Sequence, residues 1–161
     1  TAEMSATGID TIEFRFAFNK NQTPTAIAGA ASGGEISRLM LSVKSIVAQL
    51  FSLPAIIFDE IDTGVSGDVA ARIAAMMDRM SSKLQVITIT HLPQVAARGA
   101  THFKVFKTDD ESATHTSIVR LTDDQRVDEL ALMLSGNSTD EAARANARAL
   151  LAMADNDPKN K

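Results

Sequence analysis

The chain begins by alternating. From Ile9 onward, Ile12, Phe14, Phe16 and Phe18 fall on one face and Glu13, Arg15 and Ala17 on the other. A period of two is that of a half-buried strand, and Asn19 to Thr25, with Pro24, reads as the turn that follows. After the small-residue stretch Ile27 to Ser32 the period changes. Ile36, Leu39, Met40, Val43, Ile46, Val47 and Leu50 recur at helical spacing, which predicts an amphipathic helix of about four turns. Pro54 then admits Ala55-Ile56-Ile57-Phe58, an unalternated apolar run closed by Asp59 and Glu60. That pattern predicts a strand buried on both faces of a parallel sheet.

Asp62 to Gly67 reads as a loop, and Val69, Ala70, Ile73, Met77 and Met80 mark a second amphipathic helix before a strand from Gln85 to Thr90. Strand, helix and strand in this order predict a βαβ unit with a right-handed crossover. A short helical segment after Pro93 is followed by strand-like runs His102 to Lys107 and Thr114 to Leu121, which should pair as a hairpin about Asp109 to Ser112. Two helices end the pattern: Arg126 to Leu134, stopped by Gly136, and Thr139 to Met153, with Ser138 and Glu141 at capping-box spacing. Residues 155 to 161 form a polar tail. The predicted fold class is α/β, a mostly parallel sheet with flanking helices.

Composition narrows the function classes. The 161 residues, 45% hydrophobic and 22% charged, suit one globular domain, large enough to bury roughly two-thirds of its unfolded surface. Sixteen Lys+Arg against twenty Asp+Glu leave a net charge of −4, so no overall positive field draws the domain to nucleic acid or anionic lipid. The lack of cysteine removes thiol catalysis, cysteine zinc sites and a disulfide framework, and fits a reducing compartment. No apolar run approaches the roughly 20 residues of a membrane helix. The opening Thr1-Ala2-Glu3 lacks the basic-then-apolar pattern of a secretory signal, so the cytoplasm is the expected location. Seven Phe without Trp or Tyr, three of them on one strand face, read as core instead of a stacking platform for single strands.

Three stretches hold polar residues that packing does not require. Ala31-Ser32-Gly33-Gly34-Glu35 precedes the long helix. A helix start exposes unpaired N–H groups and partial positive charge, and glycines let backbone approach an oxyanion, so this is a candidate phosphate site. Ser32 and Glu35 also fit a simple capping box. Asp59, Glu60 and Asp62 follow the apolar strand, at the carboxyl end where ligands gather in open parallel sheets. There one carboxylate can hold Mg²⁺ directly or through water and another can orient or deprotonate an attacking water, although acids at a strand end are commonly just solvated. Thr90-His91-Leu92-Pro93-Gln94 ends the next strand and should lie on the same edge. His91 there can hydrogen-bond a phosphate oxygen, against the plainer alternative of a structural or exposed histidine. His102 and His115 stand in the hairpin without zinc-ligand spacing to His91.

Taken together, these stretches resemble the C-terminal half of an ATP-binding-cassette ATPase head. Ser32-Gly33-Gly34-Glu35 resembles the signature motif, Ile56 to Glu60 the Walker B strand, Ile61-Asp62-Thr63-Gly64 the D-loop and His91 the switch histidine. The strings ASGGEISR, IIFDEIDTGVSG and QVITITHLPQVAA are similar to the RecN family of bacterial DNA double-strand-break repair proteins, relatives of the structural-maintenance-of-chromosomes (SMC) ATPases. The resemblance runs from about Gly8 to Gly136. Residues 1–154 would then be the second half of a head and 155–161 a tail. The sequence departs from a complete head in containing no G-x-x-x-x-G-K-[ST], hence no phosphate-cradling P-loop. It also has Gly29-Ala30 where relatives often carry a basic residue.

The resemblance implies that the P-loop lies in an N-terminal half-head beyond a long coiled coil, and that ATP is held between two heads. One head would give Asp59 to Mg²⁺, Glu60 to the attacking water and His91 to the γ-phosphate. The opposing head would give Ser32, Gly33, Gly34 and Glu35, with Asp62 near the joint between sites. It further implies association with DNA and the nucleoid through the whole protein, no membrane partner, and no ATPase activity for these 161 residues alone. A different class stays open, a noncatalytic module for dimerisation or partner docking. A transporter ATPase fits the generic motifs but not Glu35-Ile36-Ser37-Arg38 or Leu92-Pro93-Gln94.

Overall fold

The structure, a computed structural model, describes residues 6, 8–10, 12–17, 20–27, 33–62, 64, 65, 67–110, 113–136 and 139–155. In chain order its elements are β1 (Arg15–Phe16), β2 (Thr25–Ala26), α1 (Gly33–Leu50), β3 (Ala55–Asp59), α2 (Gly67–Ser81), β4 (Gln85–Ile89), α3 (Pro93–Ala96), β5 (Phe103–Asp109), β6 (Thr114–Arg120), α4 (Asp123–Ser135) and α5 (Glu141–Asp155). The α/β architecture is as expected, and so is the βαβ unit. β3 and β4 pair in parallel, Ile56 opposite Val86 and Asp59 opposite Ile89, with α2 between them in sequence. The ladder runs on at both ends, because the Gln85 N–H donates to the Pro54 carbonyl (3.0 Å) and the Glu60 N–H to the Ile89 carbonyl (3.1 Å).

Parallel pairing is confined to this unit among the described residues. β1–β2 and β5–β6 are antiparallel ladders, because a short turn can join only antiparallel neighbours whereas parallel ones need a crossover. The hairpin predicted around Asp109 forms in full register from Phe103 opposite Arg120 to Asp109 opposite Thr114.

The main core lies on one side of β3–β4. Phe58 of β3 packs with Ala70, Ile73, Ala74, Met77 and Met80 of α2, and Leu41 and Ala48 of α1 join the same cluster. Ile56 and Val86 lean on it from the sheet. The opposite face is open: Ile57 is 62% exposed, Ile87 43% and Ile89 53%. The expectation of a strand buried on both faces is therefore corrected, since among the described residues the cluster formed with α2, α1 and Val95 of α3 lies on one side of the sheet.

The same correction applies to α1. It forms where the period placed it, but buries Leu41, Ser45 and Ala48, leaving most of its apolar stripe (Ile36, Met40, Val43, Ile46, Val47, Leu50) exposed. Periodicity specified a helix with an apolar face, not which face has a neighbour. Ile12 and Phe14 are likewise exposed instead of buried. A ladder with two residues per strand half-covers only Phe16, and Phe18 lies outside the described residues.

A second cluster joins α4 and α5. Leu130 and Ala131 meet Ala143, Ala147 and Ala154, with Ala97 beside them, and the small side chains let the helices approach closely. The C-terminal helix thus packs on its own chain. α4 starts three residues before the predicted Arg126, because Thr122 and Gln125 form a capping box: the Gln125 N–H donates to Thr122 Oγ1 (3.4 Å) and the Thr122 N–H to Gln125 Oε1 (2.9 Å). Its polar first turn lies outside the apolar period. Gly136 closes the helix at φ 82°. At α5 the expected cap Ser138 lies outside the described residues, while the Ala143 N–H donates to Asp140 Oδ1 (2.8 Å). Asp155, expected in the tail, ends the helix. Arg126 links α3 to α4 by donating to the carbonyls of Ala97 (2.5 Å) and Gly99 (2.6 Å).

His102 sits half-buried just before β5, its Nδ1 without a hydrogen-bond partner among the described residues. Burial first, then the charges of Arg126 and Lys104, lower its pKa from the ordinary 6.5, with Glu129 opposing. The folded ring therefore binds protons less readily than the unfolded one, so this residue's contribution is complete above pH 6.5 and stability declines as pH falls through 6.5 toward the lower folded value. The urea midpoint should be lower at about pH 5.5 than at about pH 7.5, and His102→Gln should narrow the gap; an unchanged gap would remove His102 as its source. Core packing gives a second expectation. Leu130→Ala, in the α4–α5 cluster, should cost ~2–5 kcal/mol in urea unfolding, whereas Ile57→Ala on the open face should cost less than ~0.5 kcal/mol. Comparable losses would mean that the β3–β4 face is covered.

Candidate functional site at the carboxyl edge of β3 and β4

Register places the site. Asp59 stands opposite Ile89, and neighbouring strands lie ~4.8 Å apart, so the residues that leave β3 and β4 next emerge side by side. These are Glu60, Ile61 and Asp62 from one strand and Thr90 and His91 from the other. The sequence expectation that the acidic pair and His91 share one edge is met in the backbone. Asp59 and Glu60 are exposed there, and the His91 side chain is 65% exposed.

Glu60 turns the chain sharply. Its φ of 45° is left-handed, a conformation that costs an L-residue roughly 1–2 kcal/mol, while its N–H still completes the ladder to Ile89. Backbone strain of this kind clusters at functional sites, and it also occurs at Ser52 (φ 48°) in the turn after α1.

Asp62 behaves differently from its acidic neighbours. It is 1% exposed, with its carboxylate turned into its own fold. Oδ2 accepts a hydrogen bond from Thr90 Oγ1, and the Asp62 carbonyl accepts the Val65 N–H (3.1 Å). Oδ1 has no hydrogen-bond partner among the described residues, and His91 Nδ1 lies 3.8 Å from it. A buried acceptor left unmade costs ~1–3 kcal/mol. Thr90 also accepts the Leu92 N–H (3.0 Å), an ST-turn that shapes the strand exit. The sequence pattern places Thr90 at the strand end without giving it a role. Its signal was a hydroxyl residue two positions before a backbone N–H at a strand end.

Gly33, Gly34 and Glu35 open α1 and are not residues of this edge. Ser32 and Thr63 lie outside the described residues. A concavity lined by Ser45, Gln49, Met80, Lys83 and Leu84 adjoins the start of β4, the opposite end of the sheet from the edge that gathers ligands in this architecture.

The donor set at the edge fits a nucleotide-bound Mg²⁺. That ion is usually held by one or two carboxylates together with phosphates and water, not by an all-protein cage. Asp59 offers one exposed carboxylate, and no cluster of three or more metal-ligating side chains occurs among the described residues. No helix of the described residues is long and apolar enough to cross a membrane.

The chain is 44% identical over 149 residues to the DNA repair protein RecN of Rickettsia bellii, covering 92% of this chain and 27% of that one. It is 40% identical over 151 residues to RecN of Deinococcus radiodurans, covering 94% and 26%. The RecN of Mycobacterium tuberculosis is 42% identical over 159 residues, covering 97% and 27%. The chain is RecN-like over nearly its whole length. It spans about a quarter of the length of these RecN relatives. No family model matches the chain.

Among solved structures, a chain from work on ATP-driven dimerization and DNA stimulated activation of SMC ATPases superposes with a TM-score of 0.56 at 19% identity, covering 73% of this chain and 70% of that one. An SMC head bound to the C-winged helix domain of ScpA superposes at 0.50 with 22% identity, covering 62% and 30%. At these identities the likeness is one of fold. The RecN-like chain has the fold of part of an SMC-type ATPase head.

The strain at Glu60 yields a test. Glu60→Gly removes the left-handed penalty, so urea unfolding should show a gain of roughly 1 kcal/mol. A loss would mean that the glutamate side chain's own contacts outweigh its backbone cost.

Proposed function

We propose that this RecN-like chain is the C-terminal half of an ATPase head, and that in the whole protein it works ATP binding and hydrolysis between two heads during DNA double-strand-break repair. The observation that carries the reading is the parallel register of β3 and β4, which brings Asp59, Glu60 and His91 out at one carboxyl edge. The open faces support it as well. The β3–β4 face with Ile57, Ile87 and Ile89, the stripe along α1 and the hairpin face with Phe103, Val105 and Ile118 are all exposed. Surfaces of that kind mark places where another chain segment packs. The P-loop half of the same head is the natural cover, since this chain contains no P-loop of its own.

In the assembled head Asp59 would hold Mg²⁺, and the ion would supply charge neutralisation for phosphoryl transfer. The Glu60 carboxylate, exposed at the turn, orients the attacking water and accepts its proton. His91 presents a ring nitrogen to the terminal phosphate oxygens. Across the interface, Ser32, Gly33, Gly34 and Glu35 of the other head bring the N-terminus of α1 to the same phosphate, where its free N–H groups and partial positive charge stabilise negative charge. Asp62 would lie near the joint linking the two sites. The work is positioning and electrostatics with no covalent intermediate. Closure of the two heads assembles the site, and hydrolysis releases them, which is how the whole protein would control its hold on DNA.

The full-length protein carrying Glu60→Gln tests this. ATP binding and head dimerisation should persist while turnover falls ~10²–10⁴-fold, the range for loss of a general base. Unimpaired turnover would remove Glu60 from the reaction and favour a docking module over a half-enzyme.

A further inference from the structure

We infer that Thr90 and Asp62 form a positioning pair for His91, holding its ring Nδ1 toward the fold and leaving Nε2 as the atom presented at the edge shared with Asp59 and Glu60. The inference rests on the half-head reading above and adds to it a device within one head.

The hydrogen bonds leave Thr90 little freedom. A hydroxyl has one hydrogen to donate. The Leu92 N–H approaches Thr90 Oγ1 as a donor, and the Thr90 hydrogen goes to Asp62 Oδ2. This fixes the plane of a carboxylate that is almost wholly buried and points its second oxygen at His91. The gap from Oδ1 to Nδ1 is 3.8 Å, too long for a hydrogen bond. The imidazole is largely exposed and can turn, while Asp62 is locked. A small ring rotation therefore closes the gap and satisfies the oxygen that has no partner among the described residues.

Closure has a chemical consequence. In a neutral imidazole one nitrogen carries the proton and the other a lone pair, and only an N–H can face a carboxylate oxygen. Asp62 thus selects the Nδ1-protonated tautomer, the minor one for a free histidine side chain in water, and the ring is held by that bond. Nε2, on the far side of the ring, faces outward; in the neutral ring it accepts a hydrogen bond from water at the terminal phosphate, and in the imidazolium, where both nitrogens carry hydrogen, it donates to a phosphate oxygen. Thr90 does this without touching the ring, and so acts through Asp62.

The test uses the full-length protein, with and without nucleotide. In the nucleotide-free protein, the ring ¹⁵N signals of His91, assigned by their loss in His91→Asn, are recorded at a pH where the ring is neutral. They should report the Nδ1-protonated tautomer in the unsubstituted protein and in Thr90→Ser, and the Nε2-protonated tautomer in Thr90→Val and Asp62→Ala. With ATP, Thr90→Val should lower kcat ~10-fold with KM within about twofold, the pattern of a group that matters only in the transition state, and Thr90→Ser should restore it. An Nε2-protonated His91 in the unsubstituted protein would overturn the inference, as would a Thr90→Val protein with unchanged tautomer and kcat. Neither reading depends on the other's failure: if His91→Asn turns over ATP normally, the role of His91 in hydrolysis is lost, while the tautomer measurement still decides what orients the ring.

Discussion

The candidate site depends on one ladder, the parallel pairing of β3 with β4. Parallel strands joined by a helix must run the same way, so both carboxyl ends fall on the same edge. Residues thirty positions apart in sequence become neighbours through backbone hydrogen bonds alone. The Glu60 N–H, bonded to the Ile89 carbonyl, carries that order one residue past the strand and into the turn. A shift of the register would separate the acidic pair from His91.

The fold spends its packing on one side of this ladder. α2 and part of α1 seal one face around Phe58, and α4 and α5 close a second, alanine-rich cluster around Leu130. The other sheet face, most of the α1 stripe and one hairpin face stay uncovered. On the half-head reading proposed above, these open apolar faces would bring the further segments of a phosphate site together.

Much of this was legible in the sequence because its signals were local. The run Ala55 to Phe58, the α2 period and the Gln85 to Thr90 run each specify an element, and two apolar strands about one helix specify a parallel pair. Which face of an element finds a partner is not local. Ile57 and the α1 stripe look like core in any window of sequence, yet no described element covers them. The start of α4 was missed for the opposite reason, a polar capping box at Thr122 and Gln125 that carries no apolar period. At the site, Asp59, Glu60 and His91 were readable as polar residues at strand ends. Asp62 looked equivalent to its acidic neighbours, and only tertiary structure shows that it is buried on Thr90.

A structure of the full-length protein bound to Mg²⁺ and a nonhydrolysable ATP analogue tests the account most directly. It should show the Asp59 carboxylate at the metal, Glu60 and His91 within hydrogen-bonding reach of the terminal phosphate or its water, and Ile57 and Ile87 buried beneath another segment of the protein. Nucleotide bound elsewhere, with the β3–β4 edge facing solvent and the sheet face still bare, would contradict it.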